Sequence, residues 1–143
     1  LGYQLAANLV LDSNLTWVPE SEFKTGTTAG NRIPYAPKVI ANLGLTYDLA
    51  DWNLALNLHH RGEQFGDPTN LVAIPTNAAA GIWGGLLPSY TVLDLMTQYK
   101  VNQQFEVFAA AKNLTDKRYI TGLREGIYVG PERSFELGAR YRF

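Results

Sequence analysis

Few residues of this chain have the chemistry of a reactive centre, and their spacing argues against one. His59 and His60 form the only histidine pair, and imidazole is a common ligand of zinc and copper. Neighbours on a strand point to opposite faces, so these two cannot chelate one ion. Cysteine is absent, which excludes disulfides, thiolate nucleophiles and thiolate metal sites. His59 and Asp94 can share a face, but no serine is placed to complete a hydrolytic triad with them. The residues therefore point to no catalytic group, no metal and no cofactor. Glu106 and Arg140 are expected on neighbouring strands, paired across them for roughly 0.2–1 kcal/mol.

The elements that would position such groups are strands, because the hydrophobic pattern has a period of two. From Leu1 to Trp17 the odd positions are nearly all apolar or aromatic, and the even ones are small or polar. Val39, Ala41, Leu43, Leu45, Tyr47 and Leu49 repeat the split. So do Trp52, Leu54, Leu56 and Leu58, then Leu93, Leu95, Thr97 and Tyr99, then Phe105 to Ala111, then Phe135 to Phe143. Six antiparallel strands are predicted, at about 1–17, 36–49, 52–65, 89–100, 103–113 and 132–143. Tight turns fall near Ala50-Asp51 and Val101–Gln103. Residues 18–35, 66–88 and 113–131 are long loops rich in Gly, Pro, Thr and Asn.

Strands of ten residues exceed the five or six usual in soluble sheets, which argues against a soluble β-sandwich. Short turns on one side and long loops on the other is the layout of outer-membrane barrels, whose short turns are periplasmic. The fold class expected is therefore all-β, an antiparallel transmembrane β-barrel segment. Tyr47, Trp52, Tyr99, Phe105, Tyr141 and Phe143 fall near the short-turn side, as an interfacial aromatic girdle requires.

Composition agrees. Charged residues are 17% and aromatics 12%, against a charged fraction of roughly 25% in soluble domains. The net charge of −1 gives no electrostatic case for nucleic acid. The most apolar window, Leu71 to Leu87, is broken by Pro75 and three glycines, so it is no spanning helix. Six strands are too few to close a membrane barrel, which needs about eight. The chain is expected to be a piece of a larger barrel, a reading that its start in mid-strand without a leader favours over closure by several copies.

Three motifs carry a family resemblance. Asn113-Leu114-Thr115-Asp116-Lys117-Arg118-Tyr119 precedes a loop, then Gly130-Pro131-Glu132-Arg133, then a strand ending Gly138-Ala139-Arg140-Tyr141-Arg142-Phe143. Upstream stand Gly30-Asn31-Arg32-Ile33-Pro34-Tyr35-Ala36-Pro37-Lys38 and Pro88-Ser89-Tyr90-Thr91-Val92-Leu93-Asp94. Together, and in this order, they resemble the C-terminal barrel of TonB-dependent outer-membrane receptors. The stretch Arg124-Glu125-Gly126-Ile127-Tyr128 is similar to siderophore and ferric-citrate types.

The resemblance implies a barrel of about 22 strands around a plug that this chain does not contain. It implies partners: outer-membrane lipid, the rest of the barrel and plug, TonB through a missing N-terminal part, and the barrel-assembly machinery. The function implied is TonB-coupled uptake of a ferric siderophore or similar iron chelate. A passive porin-like or structural barrel is the alternative, and an outer-membrane enzyme a third reading.

Ferric chelates are usually anionic, so Arg32, Arg61, Gln64, Trp83, Arg124 and Tyr128 are candidate ligand contacts, by location on loops and mouth. The apolar stretch Ala78–Leu87 could cover a ligand or, more in keeping with its composition, pack on a neighbouring loop. Leu137, Gly138, Tyr141 and Phe143 would form the terminal barrel-assembly signal, recognised by strand addition.

Overall fold

The computed structural model describes residues 1–75 and 82–143. Among these the elements are, in chain order, β1 (Gly2–Ala6), β2 (Leu9–Trp17), β3 (Val39–Leu49), β4 (Trp52–Arg61), β5 (Gln64–Phe65), β6 (Leu86–Leu87), β7 (Tyr90–Lys100), β8 (Phe105–Lys112), β9 (Ile120–Leu123), β10 (Ile127–Val129) and β11 (Ser134–Tyr141). No helix occurs among the described residues. Seven strands form one antiparallel sheet in the order β1-β2-β3-β4-β7-β8-β11. Two short hairpin-like pairs, β5 with β6 and β9 with β10, stand within the long loops.

The expected first strand is in fact two. Residues 1–17 fold back at Ala7-Asn8, and β1 pairs with β2 through Gly2 with Asp12 and Tyr3 with Leu11. At the turn itself parity inverts, with Ala6 opposite Leu9, but an irregularity between Gln4 and Ala6 restores it, so odd residues such as Tyr3 and Leu11 face the same side. Alternation therefore runs unbroken through a chain reversal, and periodicity alone reads one long strand. At β3–β4 parity inverts, with Leu43 opposite Leu58 and Leu49 opposite Trp52. There the turn showed itself as a switch of the apolar set from odd to even.

The two faces differ in kind. On one lie Leu43, Leu58 and Leu93, then Leu45, Leu56 and Leu95, in rows set by the registers. This apolar face has no second layer behind it: Leu137 is 85% and Leu43 44% exposed. On the other face one row carries Asp12, Gly44, Asn57 and Asp94. The next carries Asn14, Asn42 and His59, with His59 Nδ1 2.6 Å from Asn42 Oδ1. His60 faces the opposite way, its Nδ1 2.9 Å from Thr91 Oγ1, so the two imidazoles do not converge. Among the described residues, Leu87, Leu123 and Ala110 are the buried hydrophobic ones. A sheet that leaves its large apolar face bare is built to meet a nonpolar medium rather than a protein core.

Turns Ala7-Asn8, Ala50-Asp51 and 101–104 lie along one rim, together with the C-terminal end of β11. Loops 18–38 and 113–133, with the described residues of 62–89, rise from the other. Near the short-turn rim the anticipated pair is present: Arg140 Nη1 donates to Glu106 Oε1 at 2.7 Å. Gln98 Nε2 donates to the other carboxylate oxygen at 2.8 Å, and Arg142 lies 3.8 Å from it. In the next row Phe108 stands opposite Gly138, and its ring fills the space that a Cβ at 138 would need. The glycine of the closing motif is thus required by its neighbour's ring. Gly138→Val should destabilise the assembled protein by roughly 1–3 kcal/mol through this collision. Adding Phe108→Ala should cancel most of the loss in a urea titration; strictly additive effects would refute the contact.

Candidate functional site at the long-loop rim

The three motifs noted in the sequence turn out to be knots at the feet of the long loops. Asn113 ends β8 with φ of +48°, and its backbone N–H donates to Asp94 Oδ1 at 2.8 Å. Its side-chain amide donates to Lys117 O at 2.9 Å and to Pro131 O at 3.0 Å, while its Oδ1 accepts from Lys117 N–H. One buried side chain therefore binds both limbs of the third loop. Tyr119 stacks on Tyr90 at 4.2 Å and covers Gly130, where a Cβ would enter its ring. Burial raises the Tyr119 phenol above its ordinary pKa, with Tyr90 and Asp94 adding to the effect. Arg133 N–H donates to Asp116 Oδ1 at 3.2 Å across the same foot.

The second loop closes on Asp67. Gly66 N–H donates to Gly85 O at 2.8 Å, and Gly85 N–H donates to Asp67 Oδ2 at 3.0 Å. Thr69 donates to Asp67 Oδ1 through its N–H, at 2.8 Å, and through its hydroxyl. Gly84, at φ +93°, leaves the room that the carboxylate takes. Burial pushes the Asp67 pKa up, but hydrogen bonds from Thr69, Gly85 and Leu71 outweigh it and lower the pKa overall.

The first loop ties the other two together. Tyr35 sits at φ +57°, a strained setting for a residue with a Cβ. Its N–H donates to Phe65 O at 2.9 Å. Its hydroxyl lies 3.1 Å from both Leu123 O and Leu123 N, donating to the first and accepting from the second. Asn70 exchanges hydrogen bonds with the Arg32 backbone, and Asn31 Nδ2 donates to Pro68 O. Leu87 and Leu123, each 1% exposed, are the apolar centre of this cluster.

The six candidate contacts divide. Arg32 donates to Glu63 O at 3.0 Å, lies 3.4 Å from its carboxylate and rests 5.4 Å over the Phe65 ring. Gln64 is 3% exposed, and its Oε1 accepts from Arg61 Nη2 at 3.2 Å. These three hold loop to wall. Trp83 and Arg124 are bridge partners, and Tyr128 pairs with Gly122, two residues before Arg124. Register thus puts Trp83, Arg124 and Tyr128 on one face of a small composite sheet, with all three exposed. Of the apolar stretch Ala78–Leu87, residues 78–81 lie outside the described ones; Leu86 and Leu87 pack as β6 against Gln64 and Phe65.

Sequence reasoning missed Tyr35, Asp67 and Asn70. Asp67-Pro68-Thr69 carries a readable signal, an Asp whose side chain can cap the residue two on. Tyr35→Phe should leave the Leu123 N–H and C=O without that partner, weakening local closure by ~1–3 kcal/mol. Hydrogen exchange in peptides spanning 120–129 should then rise roughly ten- to hundredfold in the full-length protein; unchanged exchange would contradict the latch. The Asp67 clamp is a lowered-pKa carboxylate, so its contribution is complete above the ordinary carboxylate range. It is lost as pH falls through and below that range. The protection factor of the Gly85 amide, with exchange corrected for its intrinsic pH dependence, should therefore fall on acidification, and Asp67→Asn should abolish that dependence.

Comparison with known proteins places this geometry. Residues 1–114 match the family described as TonB dependent receptor-like, beta-barrel. The probable TonB-dependent siderophore receptor PiuA of Acinetobacter baumannii is 31% identical over 117 residues, covering 80% of this chain and 14% of that protein. The chain thus spans about a seventh of its curated relative's length. Among solved structures, the unliganded ferric citrate transporter FecA superposes with a TM-score of 0.78 at 24% identity, over 93% of this chain and 21% of that one. The ferric yersiniabactin uptake receptor FyuA of Yersinia pestis gives 0.79 at 17% identity, over 99% and 22%. With its family match over four-fifths of its length, this chain belongs to the β-barrel of the TonB-dependent receptors.

Proposed function

We propose that the protein carrying this chain is an outer-membrane receptor that takes up a ferric siderophore or a similar iron chelate, with energy coupled through TonB. Residues 1–143 supply the C-terminal part of the barrel wall and three extracellular loops. The short-turn rim and Phe143 lie on the periplasmic side, and the bare apolar face meets lipid. The observation that carries this reading is the 31% identity to a siderophore receptor, combined with the matching sheet.

Trp83, Arg124 and Tyr128 are the rim groups suited to an anionic, partly aromatic chelate: a guanidinium for charge and two rings for stacking. Arg32, Arg61 and Gln64 serve them indirectly, by fixing the loops. Leu137, Gly138, Tyr141 and Phe143 lie on or just beyond the edge strand β11, where pairing with the assembly machinery would take place. Plug, TonB and chelate are partners of the whole receptor. A passive porin-like barrel would need neither coupling nor a ligand face.

The test is growth of a deletion strain on a panel of ferric chelates under iron limitation. One chelate should fail to support growth unless the receptor gene and TonB are both present, and Arg124→Glu should cut its uptake by about tenfold or more. Uptake of every chelate without TonB would return the reading to the porin.

A further inference from the structure

The apolar face of the sheet is recessed over β8. Across β3, β4 and β7 its rows are filled by leucines: Leu43, Leu58 and Leu93, then Leu45, Leu56 and Leu95. On β8 the same face carries Ala109 and Ala111. Register sets Leu95, Ala111 and Phe135 in one row and Thr97, Ala109 and Leu137 in the next. Two alanines therefore lie between a ridge on β7 and a ridge on β11, where Phe135 and Leu137 are 72% and 85% exposed. The result is an open hollow of about 310 Å³, two rows or roughly 7 Å long. Val107, in the row beneath, ends it toward the short-turn rim. Both walls belong to strands already paired with β8, so strands added beyond the β11 edge complete no part of it.

At the other end, toward the long loops, stands Arg133. Its guanidinium lies 6.0 Å over the Phe135 ring. Its Nη2 is 3.9 Å from Asp116 Oδ2, beyond hydrogen-bond reach, so its donors stay open. Lys117 and Arg118 stand on the same loop foot, exposed and without a side-chain partner among the described residues. The foot sets these three cations against two carboxylates, Asp116 and Glu132.

The occupant follows from both ends. A gap between apolar side chains forfeits dispersion contacts unless something fills it. On a lipid-facing surface the filler at hand is an acyl chain, because water is absent there. An open guanidinium at the outer end matches a phosphate, which it holds by paired N–H···O bonds. We propose that the recess over Ala109 and Ala111 is a binding site for one lipid with a phosphorylated headgroup, its acyl chain in the recess and its phosphate on Arg133. This rests on the reading of the sheet as a lipid-facing receptor wall.

The test is native mass spectrometry of the full-length protein in detergent, with dioleoyl phosphatidic acid as probe and dioleoylglycerol as the uncharged comparator. Phosphatidic acid should bind about tenfold more tightly than dioleoylglycerol. Ala111→Leu should weaken it about tenfold by filling the recess, and Arg133→Ala should erase the preference over dioleoylglycerol. Should Ala111→Leu fail to assemble, Ala109→Leu decides in its place. In parallel, benzophenylalanine replacing Leu56 in outer membranes should give lipid adducts. If it does, but the leucine variant binds phosphatidic acid as the native protein does, the wall stands and the recess is refuted. Equal binding of the two lipids, or a preference that survives Arg133→Ala, would refute the phosphate contact. A dimer that disappears in Ala111→Leu would replace the lipid by a second copy. Absence of lipid adducts at Leu56 would overturn the orientation of the wall, and the site with it.

Discussion

The structure depends on one constraint: in hydrocarbon every backbone N–H and C=O must find a partner within the protein. A group left unpaired there costs several kcal/mol. Continuous antiparallel registers from β2 to β8 meet that demand, with ten successive pairs between β4 and β7 alone. The constraint also explains what the sheet lacks. It has no buried apolar core because its apolar face is solvated by lipid tails. β1 and β11 each present one unpaired edge, so the wall requires further strands on both sides, in keeping with a chain that is a fraction of its relatives' length.

Above the hydrocarbon the same demand is met differently. Where the ladders stop, side chains take over: Asn113 for the third loop, Asp67 for the second, Tyr35 between all three. Each satisfies backbone groups that ended strands leave open. The residues of the three motifs therefore serve to end strands without leaving backbone groups open. Trp83, Arg124 and Tyr128 share one exposed face on loops whose feet are fixed in this way.

The wall was legible because alternation is a direct image of two media, and seven of the strands show it. The break at Ala7-Asn8 was not, since the register shift beside it cancels the parity switch of the turn and leaves no trace in a pattern of period two. β5, β6, β9 and β10 were also hidden: strands of two to four residues hold at most two full alternations. Glu106 with Arg140 could be foreseen because both residues sit on regular, adjacent strands. Arg32 and Gln64 could not be told from ligand contacts, because a long side chain turned inward and one turned outward look alike in sequence. Only the loop packing, set by pairs more than thirty residues apart such as Asn70 with Arg32, separates them.

The carboxylate of Asp67 has an evolutionary consequence. By joining its own position to Gly85, it closes a ring across eighteen residues, so length added inside the ring between contacts such as Asn70 with Arg32 and Trp83 with Arg124 does not alter how the ring meets the strands. Lengthening what lies within the ring adds a loop entropy of only ~0.6 kcal/mol per doubling. Residues can thus be added there at small cost while the strands beneath stay unchanged.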